Sequence, residues 1–241
     1  MQSPLITIIT VVYNGAATLE ETIKSVVDQT YPNIQYIIID GQSRDNTVDI
    51  IKQYQSGISY WVSEADKGIY DAMNKALDKI TGDYVYFIGA DDVFMNNNVL
   101  EEVSRAITAA YEKDTIFYGN VLFKKTNRVY DGEFNDWKFC LRNISHQAIF
   151  YPAAIFKQFK YDLKYKYLAD YVLNLELKAN KQYRFQYIPV TVCLYNDEGS
   201  SAISPDKAYL QDRMSFLKRS FPWYVVLYAR LRTFIKKIIS K

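Results

Sequence analysis

The chain has 241 residues, 49% hydrophobic and 23% charged, which is an ordinary globular composition with room for one large domain or one domain with an appendage. Its two cysteines show no metal-ligand spacing and no support for a disulfide, which fits a reducing cytosol. No apolar run is long enough to span a bilayer, and residues 1–4 lack the basic start of a signal peptide, so we expect a cytoplasmic protein.

The net charge of +2 hides an asymmetry along the chain. Residues 213–241 hold eight Lys or Arg and no acidic residue, so taking this segment away leaves a net charge of −6 on the other 212 residues. We therefore treat the basic tail as a separate functional unit.

The first half of the chain alternates apolar, β-branched runs with amphipathic helical patterns. We predict strands at 5–12, 34–39, 58–62 and 84–88, and helices from residue 19, at 47–54 and at 69–80. Thr18 and Glu21 form a predicted capping box at the start of the first helix. Strands that alternate with helices indicate a parallel sheet with right-handed crossovers.

The pattern changes after a helix predicted at 99–111. We predict a hairpin of 115–124 and 128–130, a strand at 144–151 that contains the only histidine, His146, and a helix at 168–179. A long strand at 183–195 contains Pro189, which is typical of an edge or bent strand. Two further helices are predicted at 206–220 and 222–241.

Polar side chains follow each of the four predicted parallel strands. They are Tyr13 and Asn14, then Asp40, then Glu64 and Asp66, and finally Asp91 and Asp92. Because ligands of such sheets bind at the carboxyl ends of the strands, we expect these groups to meet at one edge. Asp after Gly is also common in simple turns, but convergence from four segments favours a binding site.

An acidic edge cannot hold nucleotide phosphates directly and needs a bridging cation. Asp91, with Asp92, would hold Mg²⁺ or Mn²⁺, which proteins bind through one or two carboxylates plus substrate phosphates. Asp40 is suited to accept hydrogen bonds from a base or a ribose hydroxyl. The chain has neither a glycine-rich dinucleotide fingerprint nor a phosphate-loop motif, which argues against a dehydrogenase or a P-loop kinase.

Four motifs, in this order along the chain, resemble those of a known family. They are TVVYN at 10–14, IIDGQSRDNT at 38–47, SEADKGIYDAMNKA at 63–76 and GADD at 89–92. At these positions the chain resembles the glycosyltransferase family 2 proteins, of the bacterial polysaccharide type, which have the GT-A fold. The likeness continues more weakly through 145–147 and 169–171 to about residue 200.

The resemblance implies an α/β fold with a Rossmann-like, mostly parallel sheet flanked by helices, an acceptor-side α+β half and a C-terminal basic amphipathic helix. It divides residues 1–205 into a donor half, 1–112, and an acceptor half, 113–205, followed by the helical tail 206–241. The donor nucleotide would be bound by Tyr13, Asn14, Asp40, Asp66, Lys67 and Asp91.

Asp91 would match the metal-binding acid of the Asp-x-Asp motif of this family. The chain departs from the fullest form of that motif, because Gly89 holds the place of the first acid. One metal ligand is thereby lost, and Asp92 or water would compensate. The expected cofactor is a divalent metal, Mg²⁺ or Mn²⁺.

Members of the family invert the anomeric centre, so an acceptor hydroxyl must lose its proton to a general base. The resemblance assigns that base to Asp170, although an aspartate also simply favours a helix N-terminus. His146 and Gln147 would contact the acceptor. A single histidine among apolar residues is also a common structural residue, and that alternative stays open here.

The basic tail combines aromatic and aliphatic residues with Arg230, Arg232, Lys236 and Lys237, which is typical of a helix lying in the plane of a membrane. The alternatives are a helix that packs on the domain or on a second subunit of a homodimer. Nucleic-acid binding is the weakest reading, and we expect no nucleic-acid partner. We expect a protein peripheral to the cytoplasmic face of an anionic membrane.

The sequence thus predicts an inverting, metal-assisted enzyme that transfers a sugar from a nucleotide sugar, which we expect to be a UDP-sugar. Its acceptor would be a saccharide or lipid-linked saccharide in cell-surface polysaccharide synthesis. Two alternatives remain: a non-catalytic sugar- or membrane-binding protein of the same fold, and a nucleotidyltransferase. The latter would need a glycine- and arginine-rich loop after the first strand, which the chain lacks.

Overall fold

A computed structural model of the protein describes residues 3–196 and 206–239, the side chains of 236–239 excepted. Four parallel strands form its first half, in the spatial order β3-β2-β1-β4. They are β1 (Ile6–Val12), β2 (Ile34–Asp40), β3 (Tyr60–Ser63) and β4 (Tyr84–Phe87), and the helices between them are α1 (Leu19–Val27), α2 (Thr47–Gln53) and α3 (Ile69–Leu77). The predicted alternation of strands and helices is confirmed.

The same sheet continues with mixed strand directions in the order β4-β8-β6-β9-β5, and β7 pairs with β6. These strands are β5 (Val93–Phe94), β6 (Thr115–Phe123), β7 (Val129–Tyr130), β8 (Ile149–Pro152) and β9 (Arg184–Tyr195). The helices of this half are α4 (Val99–Ala109), α5 (Asp136–Phe139), α6 (Ala169–Ala179), α7 (Lys207–Ser220) and α8 (Trp223–Ile239). The sequence did not predict β5, whose two residues are too few for a periodic pattern.

Two local predictions are wrong. His146 does not lie in a strand; it begins a 3-10 turn, His146–Ala148, that precedes β8. The turn is held against the core because the buried Tyr86 hydroxyl donates to the Gln147 carbonyl at 2.7 Å. Thr18 does not cap α1 with its side chain, because its hydroxyl donates instead to the Ala90 carbonyl at 2.8 Å. Thr18 therefore ties the start of α1 to the loop after β4.

The long strand β9 bends where its sequence contains Pro189. Its register against β6 shifts on both sides of Asn120, and β5 pairs only with its far end, at Cys193 and Leu194. Over its first half β9 has a partner on one side alone among the described strands, which is where a proline can be tolerated. The predicted bent edge strand is confirmed for that half.

Hydrophobic layers cover both faces of the sheet. Along β1, Ile9 and Val11 face a layer that includes α3, α6, α7 and α8, whereas Ile8 faces α1, α2 and α4. The first turns of α8 belong to this packing, since Val225 and its neighbours are buried in the first layer. The predicted domain boundary at residue 205 and the end of the last helix at Lys241 lie outside the described residues.

None of the helices in the described ranges combines the length and the apolar character that crossing a membrane requires.

Candidate active site

The loops that follow β1 and β2 are bound to each other by hydrogen bonds. The Asn14 backbone N–H donates to Ser43 Oγ at 2.7 Å, and the Asn14 side-chain oxygen accepts from the Arg44 N–H at 2.8 Å. The Ala16 N–H donates to the Asp45 carboxylate at 3.1 Å, and a hydrogen bond from the Thr47 hydroxyl holds the pKa of Asp45 below its usual value. The predicted donor residue Asn14 therefore shapes this double loop with its side chain.

Asp40 lies at the end of β2 and is completely buried. Its carboxylate accepts from the Ser43 N–H at 3.0 Å, from the Ser43 hydroxyl at 2.5 Å and from the Ser63 hydroxyl at 2.5 Å. These hydrogen bonds stabilise the buried negative charge and so offset the free-energy cost of removing the carboxylate from water. A direct contact between Asp40 and a base stays a prediction.

Tyr13, Asp66 and Lys67 lie around Gly41, at the carboxyl ends of β1 to β3. Tyr13 is 60% exposed, and Lys67 is exposed as well. A Cβ atom built on Gly41 would overlap the Asp66 carboxylate and touch Tyr13, so the glycine lets these two side chains approach. Asp66 also accepts from the Gly68 N–H at 2.8 Å, which fixes its other oxygen.

Asp91 and Asp92 have different environments although they are adjacent. Asp92 is 1% exposed, and its oxygens accept from the Asn196 N–H at 2.7 Å and from the Gln147 amide at 3.1 Å. Burial raises the pKa of Asp92 to about 6. Asp91 is only partly buried: Oδ2 accepts from the Asn196 side-chain amide at 2.8 Å, and Oδ1 accepts no hydrogen bond from the described residues.

That Asp92 shares a metal ion with Asp91 stays a prediction, and Asp91 has the more open carboxylate of the two. Each Asp92 oxygen already accepts a hydrogen bond and the side chain is 1% exposed, so Asp92 is less accessible to a cation than Asp91. Within the described residues no group of three or more His, Cys, Asp or Glu side chains could hold an ion alone. A single open oxygen on Asp91 fits the way Mg²⁺ or Mn²⁺ binds through one carboxylate plus substrate phosphates.

Gly89 is required by the carboxylates beside it. A Cβ atom at this position would lie 2.5 Å from Asp92 Oδ2 and 3.0 Å from Asp91 Oδ1. An acid there, as in the fuller motif of related proteins, would displace the buried Asp92 side chain. The glycine is therefore coupled to the inward placement of Asp92.

Replacing Gly89 by alanine is expected to destabilise the fold by about 1–3 kcal/mol, because the collision falls on a buried and hydrogen-bonded group. Urea denaturation measures the change. The matched control is the same substitution in an Asp92→Ala background, where the colliding carboxylate is gone and the cost should shrink. Equal costs in the two backgrounds would show that Gly89 acts through something other than Asp92.

Asp170 lies in the first turn of α6, 7% exposed, and it is held by two side chains from distant segments. Oδ1 accepts from the Tyr70 hydroxyl at 2.8 Å, and Oδ2 accepts from the Asn143 amide at 2.6 Å. Asn143 is fixed in turn by Asn174 at 2.9 Å, and Asn174 by the Tyr151 hydroxyl at 2.8 Å. This chain of bonds fixes the direction of the carboxylate.

His146 lies between the two acidic centres. Its Nδ1 is 3.7 Å from Asp170 Oδ2, and its side chain is 20% exposed. An acceptor contact of Gln147 stays a prediction; its side chain is buried, and its amide donates to the Asp92 carboxylate. The turn His146–Ala148 thus connects Asp92 to Asp170.

The structure brings most of the predicted site residues to one edge of the sheet, and it adds three that the sequence did not single out. Tyr70 lies within the motif at 63–76, so the sequence marked its segment as functional but did not indicate that its hydroxyl binds Asp170. No sequence motif pointed to Asn143 or Asn196, because each binds a carboxylate far away in the chain. Asn143 is 27 residues from Asp170, and Asn196 is about a hundred residues from Asp91 and Asp92.

Comparison with known proteins identifies the family of the chain. The sequence profile of the family described as "Glycosyl transferase family 2" matches residues 7–163. The chain is 34% identical over 217 residues to a "PGL/p-HBAD biosynthesis glycosyltransferase" of Mycobacterium bovis (strain BCG / Pasteur 1173P2), covering 88% of this chain and 84% of that protein. It is 28% identical to an uncharacterized glycosyltransferase of Mycobacterium tuberculosis, covering 92% of this chain and 87% of that one.

Solved structures share the fold at low sequence identity. The S. aureus TarS 1-349 structure in complex with UDP-GlcNAc superposes with a TM-score of 0.71 at 18% identity, over 88% of this chain and 65% of that one, so the chain spans slightly less than two thirds of the TarS fragment. The mannosyltransferase PcManGT from Pyrobaculum calidifontis, in complex with GDP-Man and Mn²⁺, gives 0.68 at 16% identity, over 94% of this chain and 69% of that one. The chain therefore belongs to glycosyl transferase family 2 and is a glycosyltransferase with the GT-A fold.

Proposed function

We propose that the protein is an inverting glycosyltransferase that takes a sugar from a nucleotide sugar, by preference a UDP-sugar, and adds it to a saccharide or lipid-linked saccharide in cell-surface polysaccharide synthesis. The observation that carries the proposal is the presence of two carboxylate centres joined by the turn His146–Ala148: Asp92, beside the partly open Asp91, accepts from Gln147, and the rigidly held Asp170 lies 3.7 Å from His146. The ligands named for TarS and PcManGT, a UDP-sugar and a GDP-sugar, support a nucleotide-sugar donor.

On the donor side, the exposed ring of Tyr13 and the carboxylate of Asp66 bind the nucleoside, and Lys67 approaches the diphosphate. Asn14 and the buried Asp40 hold the two loops that carry the site. Asp91 Oδ1 is the group that would hold a divalent metal together with the phosphates. When bound, such an ion neutralises the charge that develops on the leaving diphosphate.

The reaction is a single displacement at the anomeric carbon. The acceptor hydroxyl oxygen forms a bond to that carbon, the bond from the carbon to the phosphate oxygen breaks, and its electron pair leaves with the nucleoside diphosphate. Asp170 takes the hydroxyl proton, while Tyr70 and Asn143 keep its oxygens in place. Attack on the face opposite the leaving group inverts the configuration. His146, beside Asp170 and partly exposed, contacts the acceptor.

Family membership removes the support for the two alternatives considered from the sequence. A nucleotidyltransferase and a non-catalytic binding protein both lack a counterpart among the curated relatives described above, which are named glycosyltransferases. The geometry favours catalysis for a further reason. The carboxylate of Asp170 is held from two sides at a partly open turn, which a purely structural helix start does not require.

The proposed place of action is the cytoplasmic face of a membrane, reached through the C-terminal helix. Exposed basic and apolar residues on α8 support this location. A homodimer through the same helix is the competing arrangement.

A thermal-shift panel of nucleoside diphosphates, with and without Mn²⁺, tests the donor site. UDP with Mn²⁺, at about a hundred times its Kd, is expected to raise Tm by roughly 5–10 °C, because a ligand at that excess adds about 2.7 kcal/mol of stability. UDP alone should give a much smaller shift, since the acidic edge repels phosphate. An equal shift with and without the metal would contradict a metal-bridged diphosphate, and a larger shift with GDP would overturn the preference for UDP.

A further inference from the structure

The helix α8 has two faces with different surroundings. Its inner face packs on the domain through Val225, Val226 and Ala229, which are buried. Its outer face exposes a continuous series of large apolar side chains. We call it the outer stripe: Trp223, Tyr224, Leu227, Tyr228, Leu231, Phe234 and Ile235. Trp223 is 76% exposed and Phe234 64%, and at 3.6 residues per turn the stripe covers an arc of about 140°.

A side chain from another element extends the outer stripe. Trp137 of α5 is 43% exposed, and its ring centroid lies 5.7 Å from that of Tyr224 and 5.1 Å from that of Tyr228. The exposed surface is therefore composite: a short helix of the acceptor half and the C-terminal helix present their aromatic rings together. We call this surface, the outer stripe with Trp137, the aromatic patch.

Positive charge borders the aromatic patch without acidic residues from the same helix. Arg230 and Arg232 are exposed, and their positions in the helical repeat fall on opposite margins of the outer stripe. From residue 213 onward the chain has eight basic residues and no acid. On α5, Asp136 is the nearby acidic residue, and its carboxylate is paired with Lys178 at 2.9 Å.

We propose that the aromatic patch is a membrane-docking surface for anionic phospholipid, in which Trp137 inserts together with the outer stripe. Trp and Tyr rings favour the headgroup level of a bilayer, and an in-plane helix buries one apolar face there. Arginines at the margins of the stripe then meet anionic headgroups, each adding favourable electrostatic energy. The chemistry of the whole patch matches that of a negatively charged interface.

A second copy of the chain is a poorer occupant of the same surface. A twofold dimer brings the same patch of both subunits together, so Arg230 and Arg232 of each copy would face those of the other. The helix supplies no acidic side chain to pair with them. Like charges placed opposite each other at an interface oppose association.

Docking through both elements would orient the active site as well as attach the protein. Trp137 precedes Asn143 by six residues, and Asn143 donates to the carboxylate of Asp170. The patch is therefore built on the segment that holds the proposed base. If the proposed function is right, this arrangement presents the acceptor side to the membrane that carries a lipid-linked saccharide.

Tryptophan fluorescence tests the composite surface, because the chain has only three tryptophans: Trp61, Trp137 and Trp223. Each is kept alone by replacing the other two with phenylalanine in the full chain. On vesicles of phosphatidylglycerol and phosphatidylcholine with brominated acyl chains, Trp137 and Trp223 are expected to be quenched and shifted to shorter wavelength. Trp61, half-buried in β3, is the internal control and should not change. Quenching of Trp223 without Trp137 would overturn the composite surface.

Vesicle co-sedimentation tests the partner. The full chain should bind phosphatidylglycerol-containing vesicles, and the double substitution Arg230→Gln and Arg232→Gln should weaken binding roughly five- to thirtyfold on these vesicles and little on pure phosphatidylcholine. Trp137→Ala should weaken it about fivefold, whereas Tyr111→Ala, an exposed aromatic outside the patch at 47% exposure, should not. Deletion of the helix is unsuitable, since it would uncover Val225 and its buried neighbours.

The outcomes separate this proposal from the proposed function. Donor-site integrity is read from the shift in Tm with UDP and Mn²⁺ in the absence of vesicles, which the patch variants should leave unchanged. A chain that binds UDP but neither vesicle type would overturn the membrane surface alone. Equal binding to both vesicle types would overturn the role of anionic lipid, and a dimer dissociated by Trp137→Ala in light scattering would assign the patch to a second copy.

Discussion

Replacing Asp170 by asparagine is expected to lower kcat by about 10²- to 10⁴-fold, which is the usual contribution of a positioned general base. The amide is nearly isosteric and keeps one oxygen that accepts from Asn143, while its nitrogen can donate to the Tyr70 oxygen. The fold should therefore survive, and the loss should come from the missing proton acceptor. Release of nucleoside diphosphate in the presence of acceptor measures kcat, and the KM for the donor should change little.

Two further variants serve as comparisons for Asp170→Asn. Asp78→Asn changes an exposed aspartate that pairs with the exposed Lys160, and it should leave kcat unchanged. Tyr70→Phe removes one of the two bonds to Asp170 and should have an intermediate effect, because the carboxylate remains but is held from one side. Retention of more than about a tenth of kcat in Asp170→Asn would place the base elsewhere, and His146, at 3.7 Å, would be the first residue to test.

The sequence was informative where function depends on strand ends. Apolar runs mark β1, β2 and β4 unambiguously, and a parallel sheet places whatever follows them at one edge. This was enough to bring together Tyr13, Asp66 and Asp91 before any contact was known. In the observed register, Val12 lies beside Asp40 and Asp40 beside Ser63, so the ends of β1, β2 and β3 meet as expected.

The partners of the carboxylates could not be predicted in the same way. Asn196 reaches Asp91 and Asp92 from the end of β9, after a bend that Pro189 introduces and that periodicity does not encode. Gln147 looked like part of an acceptor strand, but its side chain turns inward to Asp92. Such contacts join segments far apart in the chain, so only the packing of the two halves decides which oxygen stays open.

The C-terminal helix gives a second case of this limit. Its sequence shows apolar and basic residues mixed along its length, a pattern compatible with a membrane, a partner or the protein's own core. The structure separates these roles, because Val225 and Ala229 are buried whereas Leu227 and Leu231 are exposed. Part of the helix is therefore core, and the rest is the surface argued to meet lipid.

Replacing Asp91 by asparagine is expected to reduce kcat/KM by about 10²- to 10³-fold and to abolish the extra Tm shift that Mn²⁺ gives with UDP. An amide is neutral and a weak ligand for a hard cation, so the diphosphate loses its bridge to the protein. The Asn196 side-chain amide can still donate a hydrogen bond to the oxygen of the new asparagine, which keeps the loop after β4 in place. Activity at several Mn²⁺ concentrations measures the effect, and high metal should rescue it only in part.

The matched control is Asp92→Asn, one residue along the chain. Its carboxylate is buried and bound by Asn196 and Gln147, so the substitution removes one of two inward bonds and should lower the free energy of unfolding by about 1–3 kcal/mol. Because this side chain is buried, the metal-dependent Tm shift with UDP should persist in the folded fraction. If Asp92→Asn abolished that shift and Asp91→Asn preserved it, the assignment of the two carboxylates would have to be reversed. The contrast between the neighbours therefore tests the proposed division of roles, in which Asp92 stabilises the fold and Asp91 binds the metal.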